Sequence, residues 1–584
     1  MDGKVIKITM NYMFPATRTE MKSPGIKKLD IILISGEAFI DHPSSGVAII
    51  ARLLQDHGYS VGIIDQPDWS SKEDFTRLGK PELFFGVTSG CLDSMLANYT
   101  PVKKIRRGDR RLFEYTMPDR AVIVYCNRLK ETYKNIPIVI GGIEASLRRF
   151  AHYDYWSDSI RRSILMDSRA DILVYGMGER QILEIAERLK RGENLEGIRG
   201  TVIKTKKEIS SIKLPSFKEI SSDKESFCKS FLIQEREQEP FTGKALLEEY
   251  DHCAIIQYPP AFPLTEEEMD YIYELPFSRK AHPKYKEEIK SLEPVRFSII
   301  THRGCFGNCS FCALSFHQGK FIQSRSRESI LREIEKLTGH PGFKGYIDDL
   351  GGPTANMYGI NCCKYGHGKD FIEFPSIIDK SAIRQNFNSS IRCNMNCLGD
   401  RCKNLSCNNR VLTELLKKIR NIKGVKKAFV RSGVRYDLSL KDEAYLEELI
   451  GYHISGQMKV APEHISPSVL ELMNKPCVEI FEKFHKKFTD INKKFSKKQY
   501  LIPYFIVSHP GAGKKEALAL KDYIRKNHIA IEQIQIFTPT PMTKSTCMYY
   551  TGMDPVTLKD VYIPRSIKEK QEQKNMLLYR KKSL

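Results

Sequence analysis

Three cysteines fall within one short stretch, Thr301-His302-Arg303-Gly304-Cys305-Phe306-Gly307-Asn308-Cys309-Ser310-Phe311-Cys312. Gaps of three and then two residues, in a glycine-containing loop, let Cys305, Cys309 and Cys312 converge on one small inorganic body. Thiolates hold iron-sulfur clusters, and the usual complement is four, one for each iron of a 4Fe-4S cube. Three leave one iron without a protein ligand, and an open metal position separates a reactive site from a structural one, as it does for zinc. Zinc is the competing reading, with His302 or His317 as the fourth ligand. A disulfide framework is not expected in a chain this long that opens without a secretory signal.

A loop of this kind needs a strand to deliver it. The largely apolar run 295–300 reads as the first strand of a partial β/α barrel, a fold whose active sites lie at the carboxyl ends of its strands. After the loop, Ser324-Arg325-Ser326-Arg327-Glu328-Ser329 opens a helix with Ile330, Ile334 and Leu337 at helical spacing. Further barrel strands are predicted in 345–352, 428–437, 458–464, 501–511 and 534–541. Phe481, Phe484, Phe488, Ile491 and Phe495 form a core-facing stripe, with lysines on the solvated face between them. Upstream, apolar runs at 29–36, 83–88, 136–142 and 172–176 alternate with helix-like segments at 46–57 and 179–190. That alternation predicts a doubly wound α/β sheet with glycine turns where ligands usually bind.

The chain therefore divides into an N-terminal segment 1–28, a doubly wound domain 29–190, a connector 191–288, a barrel 289–555 with a cysteine-rich insertion 360–410, and a basic tail 556–584. The connector is expected to be an irregular bridge containing one helix capped by Thr265, with Glu266, Glu267 and Glu268 in its first turn. The tail reads as a frayed amphipathic helix or a weak anion-binding arm. Residues 145–156 mix Arg148, Arg149 and His152 with aromatics, and they read as packing between the two domains.

The cysteine spacing, with Phe311 directly before Cys312, resembles the signature of the radical S-adenosylmethionine (radical SAM) superfamily. The resemblance implies that SAM chelates the open iron through its amino and carboxylate groups and receives an electron. The 5'-deoxyadenosyl radical so released takes a hydrogen atom from a substrate, while the protein orients that chemistry. It places Phe311 against adenine. It places Gly351 and Gly352, in Gly351-Gly352-Pro353-Thr354-Ala355-Asn356-Met357-Tyr358, beside the methionine moiety, although Pro353 stands where glutamate is common. Ser432 and Arg435, in Ser432-Gly433-Val434-Arg435-Tyr436, and Glu463 are further expected contacts for SAM or substrate. These phrases are similar to the YgiQ-type radical SAM family, whose reaction is unassigned, from about Phe14 through Gly552.

The upstream sheet resembles the cobalamin-binding fold that precedes the SAM domain in several radical SAM families. Asp41-His42-Pro43-Ser44-Ser45-Gly46 is similar to its Asp-x-His-x-x-Gly loop, and Gly141-Gly142 to its paired glycines. His42 falls one place too early to be the cobalt ligand, and Ser89-Gly90-Cys91-Leu92 is one residue longer than Ser-x-Leu. The fold is expected; cobalamin itself is not the leading expectation. Within the insertion, one of Cys362 and Cys363 with Cys393, Cys397 and Cys402 would make a second four-thiolate site, as ligand count and the family's similar cysteines imply. Both an iron-sulfur cluster and zinc accept that set. The competing reading is unligated thiols, prone to oxidation.

The whole chain sets the outer bounds. Among 584 residues, 92 are Lys or Arg and 71 Asp or Glu, a net charge of +21. That balance suits RNA, DNA, nucleotides or an acidic protein, and equally a lysine-rich proteome. No apolar run approaches the ~20 residues that span a bilayer. The opening Met1-Asp2-Gly3-Lys4-Val5-Ile6-Lys7 lacks the apolar core of a signal peptide, so a cytoplasmic protein without a membrane partner is expected. The leading expectation is a radical SAM enzyme served by a reductant such as flavodoxin or ferredoxin. One alternative is an RNA-modifying radical SAM enzyme such as a methylthiotransferase, for which a recognisable RNA-binding module is missing. Another is a non-catalytic iron-sulfur or zinc protein that senses redox state or binds nucleic acid.

Overall fold

Five buried runs rich in Ile, Val and Phe build the parallel part of the first sheet: β1 (Ile31–Ser35), β2 (Val61–Asp65), β3 (Phe84–Thr88), β4 (Ile138–Ile140) and β5 (Ile172–Val174). Their spatial order is β2-β1-β3-β4-β5, all parallel, so the direction of winding reverses between β1 and β3. The two-residue period of a strand sends Ile32 and Ile34 to one face and Ile31 and Leu33 to the other. The first pair packs with Val122, Tyr125 and Leu129 of the helix Ala121–Thr132. The second packs with Leu53 and Leu54 of Gly46–Asp56 and Ile182 and Ile185 of Glu179–Arg191. Helices on both faces explain why these strands are apolar throughout rather than alternating. The computed structural model describes residues 13–22, 25–106, 117–360, 362, 365–387, 408–529, 531 and 534–578.

Residues 191–288 do not form an irregular bridge. Four strands in that stretch, β6 (Thr201–Thr205), β7 (Ile212–Lys213), β8 (Leu246–Tyr250) and β9 (Cys253–Gln257), continue the same sheet to nine strands, in the order β7-β8-β9-β6-β5. Glycine turns vanish from this sequence because β9 pairs antiparallel to both β8 and β6, with Tyr250 opposite Cys253 across a two-residue hairpin turn. The predicted helix cap is present: Thr265 and Glu268 form a reciprocal capping box at the start of Glu266–Glu274.

The second body is a row of parallel strands in chain order: β10 (Ile299–Ile300), β11 (Tyr346–Ile347) with β12 (Leu350–Gly351), β13 (Lys427–Ala428), β14 (Gln457–Glu463), β15 (Tyr500–Val507) and β16 (Ile534–Ile536). Helices cover one side, where Ile334, Leu415, Leu446, Phe484 and Phe488 pack on Ile347, Val430 and Val460. The phenylalanine stripe is therefore core, as its spacing predicts. Within the insertion, Tyr365–Pro375 and Ala382–Phe387 pair as an antiparallel hairpin.

Buried ion pairs and rings join the two bodies. Arg303, in the strand entering the cysteine loop, pairs with Glu179 at the end of the first sheet, and both side chains are 3% exposed. Tyr153 stacks on Tyr550 at 5.0 Å, and Tyr155 meets Tyr549 edge-on at 5.9 Å, so residues 145–156 do pack one body against the other. The basic tail is docked rather than frayed. Its helix Ile567–Leu577 buries Lys570 and Gln573, and Gln573 accepts from the Ser508 amide at 2.9 Å and donates to the Ala512 carbonyl at 3.0 Å. Among the described residues no helix is long and apolar enough to cross a membrane.

Candidate functional site

β10 ends at the loop, and His302–Arg303 pairs antiparallel with Gln323–Ser324 to fix its exit. Gly304, at φ +87°, could carry no side chain, because a Cβ there would lie 1.9 Å from the Phe321 carbonyl. The chain then folds around Gly307. A Cβ at Gly307 would sit 3.3 Å from Cys305 Sγ, 3.9 Å from Cys309 Sγ and 3.0 Å from Arg435 Nη1, so a small cradle opens where the glycine lacks a side chain. The Cys312 amide donates to the Cys309 carbonyl at 3.0 Å and closes the turn. Burial, reinforced by Cys309, holds the Cys305 thiol above its ordinary value and pushes Cys312 up to about 12. Arg435 opposes the shift at Cys305, and its Nη1 lies 3.8 Å from Cys309 Sγ. Burial works against its charge, but Asp437, which accepts from both Nε and Nη2, and the thiols together raise its pKa.

The other expected contacts, Phe311 aside, lie at or just beyond the carboxyl ends of the neighbouring strands. Gly351 and Gly352 are glycine for a packing reason, since a Cβ would meet Ser432 Oγ at 2.6 Å or the His302 carbonyl at 2.7 Å. Ser432 does not offer a free hydroxyl; it donates to Asp349, whose other oxygen takes the amides of Arg431 and Ser432 at 2.8 and 3.0 Å. Glu463 ends β14 at φ +68°, a left-handed conformation that a non-glycine residue rarely adopts. Burial raises its pKa, Lys475 3.9 Å away opposes this, and its charge is felt at Cys312. Phe311 lies edge-on to His509 at 6.2 Å and packs against Val469, Met473 and Ala512. His302 and His317 are engaged elsewhere: His302 Nδ1 meets Thr301 Oγ1 at 2.9 Å, and His317 Nδ1 meets Ser146 Oγ at 3.0 Å. Among the described residues no three His, Cys, Asp or Glu groups sit close enough to share one metal ion.

Comparison with known proteins decides the family. The family model described as Radical SAM N-terminal matches residues 13–298, and one described as a domain of unknown function, DUF3362, matches 532–583. A UPF0313 protein of Methanocella arvoryzae is 48% identical, over 97% of this chain and 92% of the relative. UPF0313 proteins of Methanosarcina acetivorans and Clostridium botulinum are each 47% identical, over 97% of this chain and 78% and 86% of theirs. The chain belongs to the UPF0313 family. Among solved structures, the radical SAM methyltransferase TsrM of Kitasatospora setae with tryptophan and a SAM analogue bound is 16% identical, over 87% of this chain and 74% of that one, with a TM-score of 0.48. The same enzyme with cobalamin and a 4Fe-4S cluster gives 15%, 88%, 73% and 0.49.

In this UPF0313 protein the carboxyl ends of the two strand systems face each other across a cavity of about 510 Å³. Val87, Ile140, Val174 and Met177 line it from the sheet, and Ile300, Gly351, Gly352 and Ser432 from the barrel. His42 does not line it. The ring is fully buried, with Nδ1 2.8 Å from Ser44 Oγ and Nε2 3.0 Å from Arg279 Nη1, so a corrinoid in the cavity would gain no ligand from that motif. Of the second cysteine group, Cys362 is half-buried; Cys363, Cys393, Cys397, Cys402 and Cys407 lie outside the described residues.

Residue spacing alone did not mark Asp349, Thr354, Asn356 or Asp437 as part of the site. Thr354 Oγ1 lies 3.6 Å from Cys305 Sγ, and the Asn356 side chain clamps the Arg435 backbone through bonds of 2.9 Å to both its carbonyl and its amide. Their runs were legible, because Gly351-Gly352-Pro353-Thr354-Ala355-Asn356 is unusual. For Asp349 and Asn356 the partners are about eighty residues away and depend on strand register.

Proposed function

We propose that this protein is a radical SAM enzyme, with Cys305, Cys309 and Cys312 each binding one iron of a 4Fe-4S cluster. The observation that carries the reading is the cradle at Gly307, rimmed by thiols and by the Arg435 guanidinium. Two thiols beside one glycine, with a third three residues beyond in the same loop, suit a cluster that takes one thiolate per iron. When bound, such a cluster supplies the electron that splits SAM into methionine and a 5'-deoxyadenosyl radical.

The chain's own residues do the rest. Arg435 favours the thiolate forms by placing a fixed positive charge beside two of them. Asn356 and Asp437 hold Arg435 in place. Asp349, by fixing Ser432, keeps the backbone at Gly351 and Gly352 open, the shelf proposed for the methionine end of SAM. Glu463 is proposed for the ribose or the substrate, and Phe311 for the adenine side, where its edge would have to swing from His509. The electron would come from a reductant of the flavodoxin or ferredoxin class. The cavity beside the shelf is proposed to hold the substrate.

The test is anaerobic reconstitution with iron and sulfide, followed by SAM and dithionite. Wild type should form 5'-deoxyadenosine and Cys309→Ala should not. Wild type that takes up iron and sulfide but cleaves no SAM would sink the reading.

A further inference from the structure

The cavity has a second chemically equipped wall, at the point where the winding of the first sheet reverses between β1 and β3. In open α/β sheets that crevice is where ligands bind. Glu37 follows β1, and Cys91 follows β3; both line the cavity that Gly351, Gly352 and Ser432 line from the other side. The two are built as a pair. The Cys91 amide donates to Glu37 Oε1 at 2.7 Å, and the thiol itself hydrogen-bonds to the same carboxyl. Gly90, at φ +111°, makes room for them, since a Cβ there would fall 2.3 Å from the Glu37 carboxyl carbon.

Burial disfavours the charged form of both groups, most strongly at Cys91. Burial, then the Glu37 carboxyl, raises the Cys91 thiol, against a smaller opposing contribution from the Gly46 amide. Burial also raises Glu37. Yet Cys91 keeps exposed surface, as a side chain on a cavity wall does. His302 lies on the same walls, fully buried, and its Nε2, unlike its Nδ1, makes no hydrogen bond. A nucleophilic cysteine would want the opposite environment, one that lowers its pKa. A thiol kept as S–H suits a different task, because an S–H bond is weaker than the C–H bonds of most organic molecules.

We propose that Cys91 is a hydrogen-atom donor, which quenches a substrate-derived carbon radical in this cavity. The proposal rests on the radical SAM reading above. The carbon radical takes the hydrogen atom of the Cys91 S–H bond, forming a C–H bond and leaving a thiyl radical on sulfur. One electron from the reductant that also serves the cluster, and one proton passed from solvent by way of the Glu37 carboxyl, restore the thiol. The substrate class that follows is a largely apolar molecule matching the walls, leaving the enzyme with one more hydrogen than the radical it passed through.

SAM alone provides the test, because in the absence of substrate the 5'-deoxyadenosyl radical must take hydrogen from the protein. In D2O the Cys91 thiol carries deuterium, so wild-type 5'-deoxyadenosine should gain one deuterium by mass spectrometry. Cys91→Ala and the isosteric Cys91→Ser, whose O–H bond is too strong to donate, should lose most of that label per molecule of 5'-deoxyadenosine formed. An unchanged label in both variants overturns the proposal while leaving the radical SAM reading intact; no 5'-deoxyadenosine from wild type overturns both. A readout without the cluster is alkylation by iodoacetamide at pH 8, followed by peptide mass spectrometry. Cys91 should react about tenfold or more slower than the exposed Cys477, and Glu37→Gln should speed it. Labelling of Cys91 as fast as Cys477 would show that the thiol is not held protonated, and would also overturn the proposal.

Discussion

At Gly307 the difference between hydrogen and methyl decides whether the cradle exists. Gly307→Ala would put carbon 3.3 Å from Cys305 Sγ and 3.0 Å from Arg435 Nη1. It should leave the circular-dichroism spectrum unchanged while cutting iron and sulfide uptake on reconstitution severalfold, and uptake equal to wild type would show that the cradle is not where the cluster sits. A second residue carries a pH signature. Glu248 is fully buried, accepts from the Ala151 amide and from the Tyr250 hydroxyl, and is pushed up to about 7 by burial. Its folded pKa lies above the ordinary glutamate value, so the folded state binds the extra proton between about pH 4.5 and 7. Stability from this group is complete below that window and is lost as pH rises through it, by about 3 kcal/mol. Glu248→Gln should flatten that part of the profile, read as the difference between wild-type and variant urea midpoints at pH 5 and pH 8. The three cysteines and the glycine pair were legible in the sequence because their chemistry is local, set by spacing within one loop. Asp349 and Asn356 were not, because an aspartate or asparagine declares its role only when strand register brings a distant backbone to it.

Elements show the same division. Most parallel strands of both bodies were legible as apolar runs, but β2 was not, since it ends in Asp65-Gln66 without a glycine turn; Phe481, Phe484 and Phe488 announced a core-facing helix by their period. The connector was misread because β6, β9 and β8 join the sheet by antiparallel pairing whose turns need no glycine, with only the short β7–β8 pair parallel. The tail helix was misread for a related reason. Its sequence is mostly Lys, Glu and Gln, and nothing local tells that Lys570 is buried, donating to Tyr549 and Tyr155 at 2.8 and 3.1 Å between their rings. Burial lowers that lysine to about 8, with Lys103 and Arg565 adding to the effect. This helix also fixes the loop after β15 through Gln573. Lys570→Ala should therefore loosen the whole element, and trypsin should cut at Lys568 about tenfold faster than in wild type, corresponding to roughly 1.4 kcal/mol of lost docking. Cleavage at the wild-type rate would mean that Gln573 and Leu577 hold the helix without the lysine.

At the scale of the molecule, what matters is that the sheet and the barrel meet with their carboxyl ends facing, so that one cavity is shared by the strand entering the cysteine loop and the switch point. Arg303 and Glu179 sit at that junction, both almost fully buried. Arg303 lies two residues before Cys305 and also donates to Tyr273 at 2.8 Å, while Glu179 begins the helix that follows β5. Removing one partner of a buried pair strands the other charge in a medium that cannot solvate it, at about 3–5 kcal/mol, whereas replacing both by apolar groups of similar size is often nearly neutral. Glu179→Ala and Arg303→Met should each lower the urea midpoint strongly, and the double variant should recover much of the loss. That gives a coupling energy of about 2 kcal/mol or more in a double-mutant cycle. The same cycle read by iron uptake separates two roles. If Arg303 acts only to join the bodies, the double variant regains stability and cluster together. If it also sets the path of the loop into Cys305, stability returns and iron uptake does not. Additive effects, with coupling near zero, would mean that the two bodies merely abut, and the shared cavity would lose its structural basis.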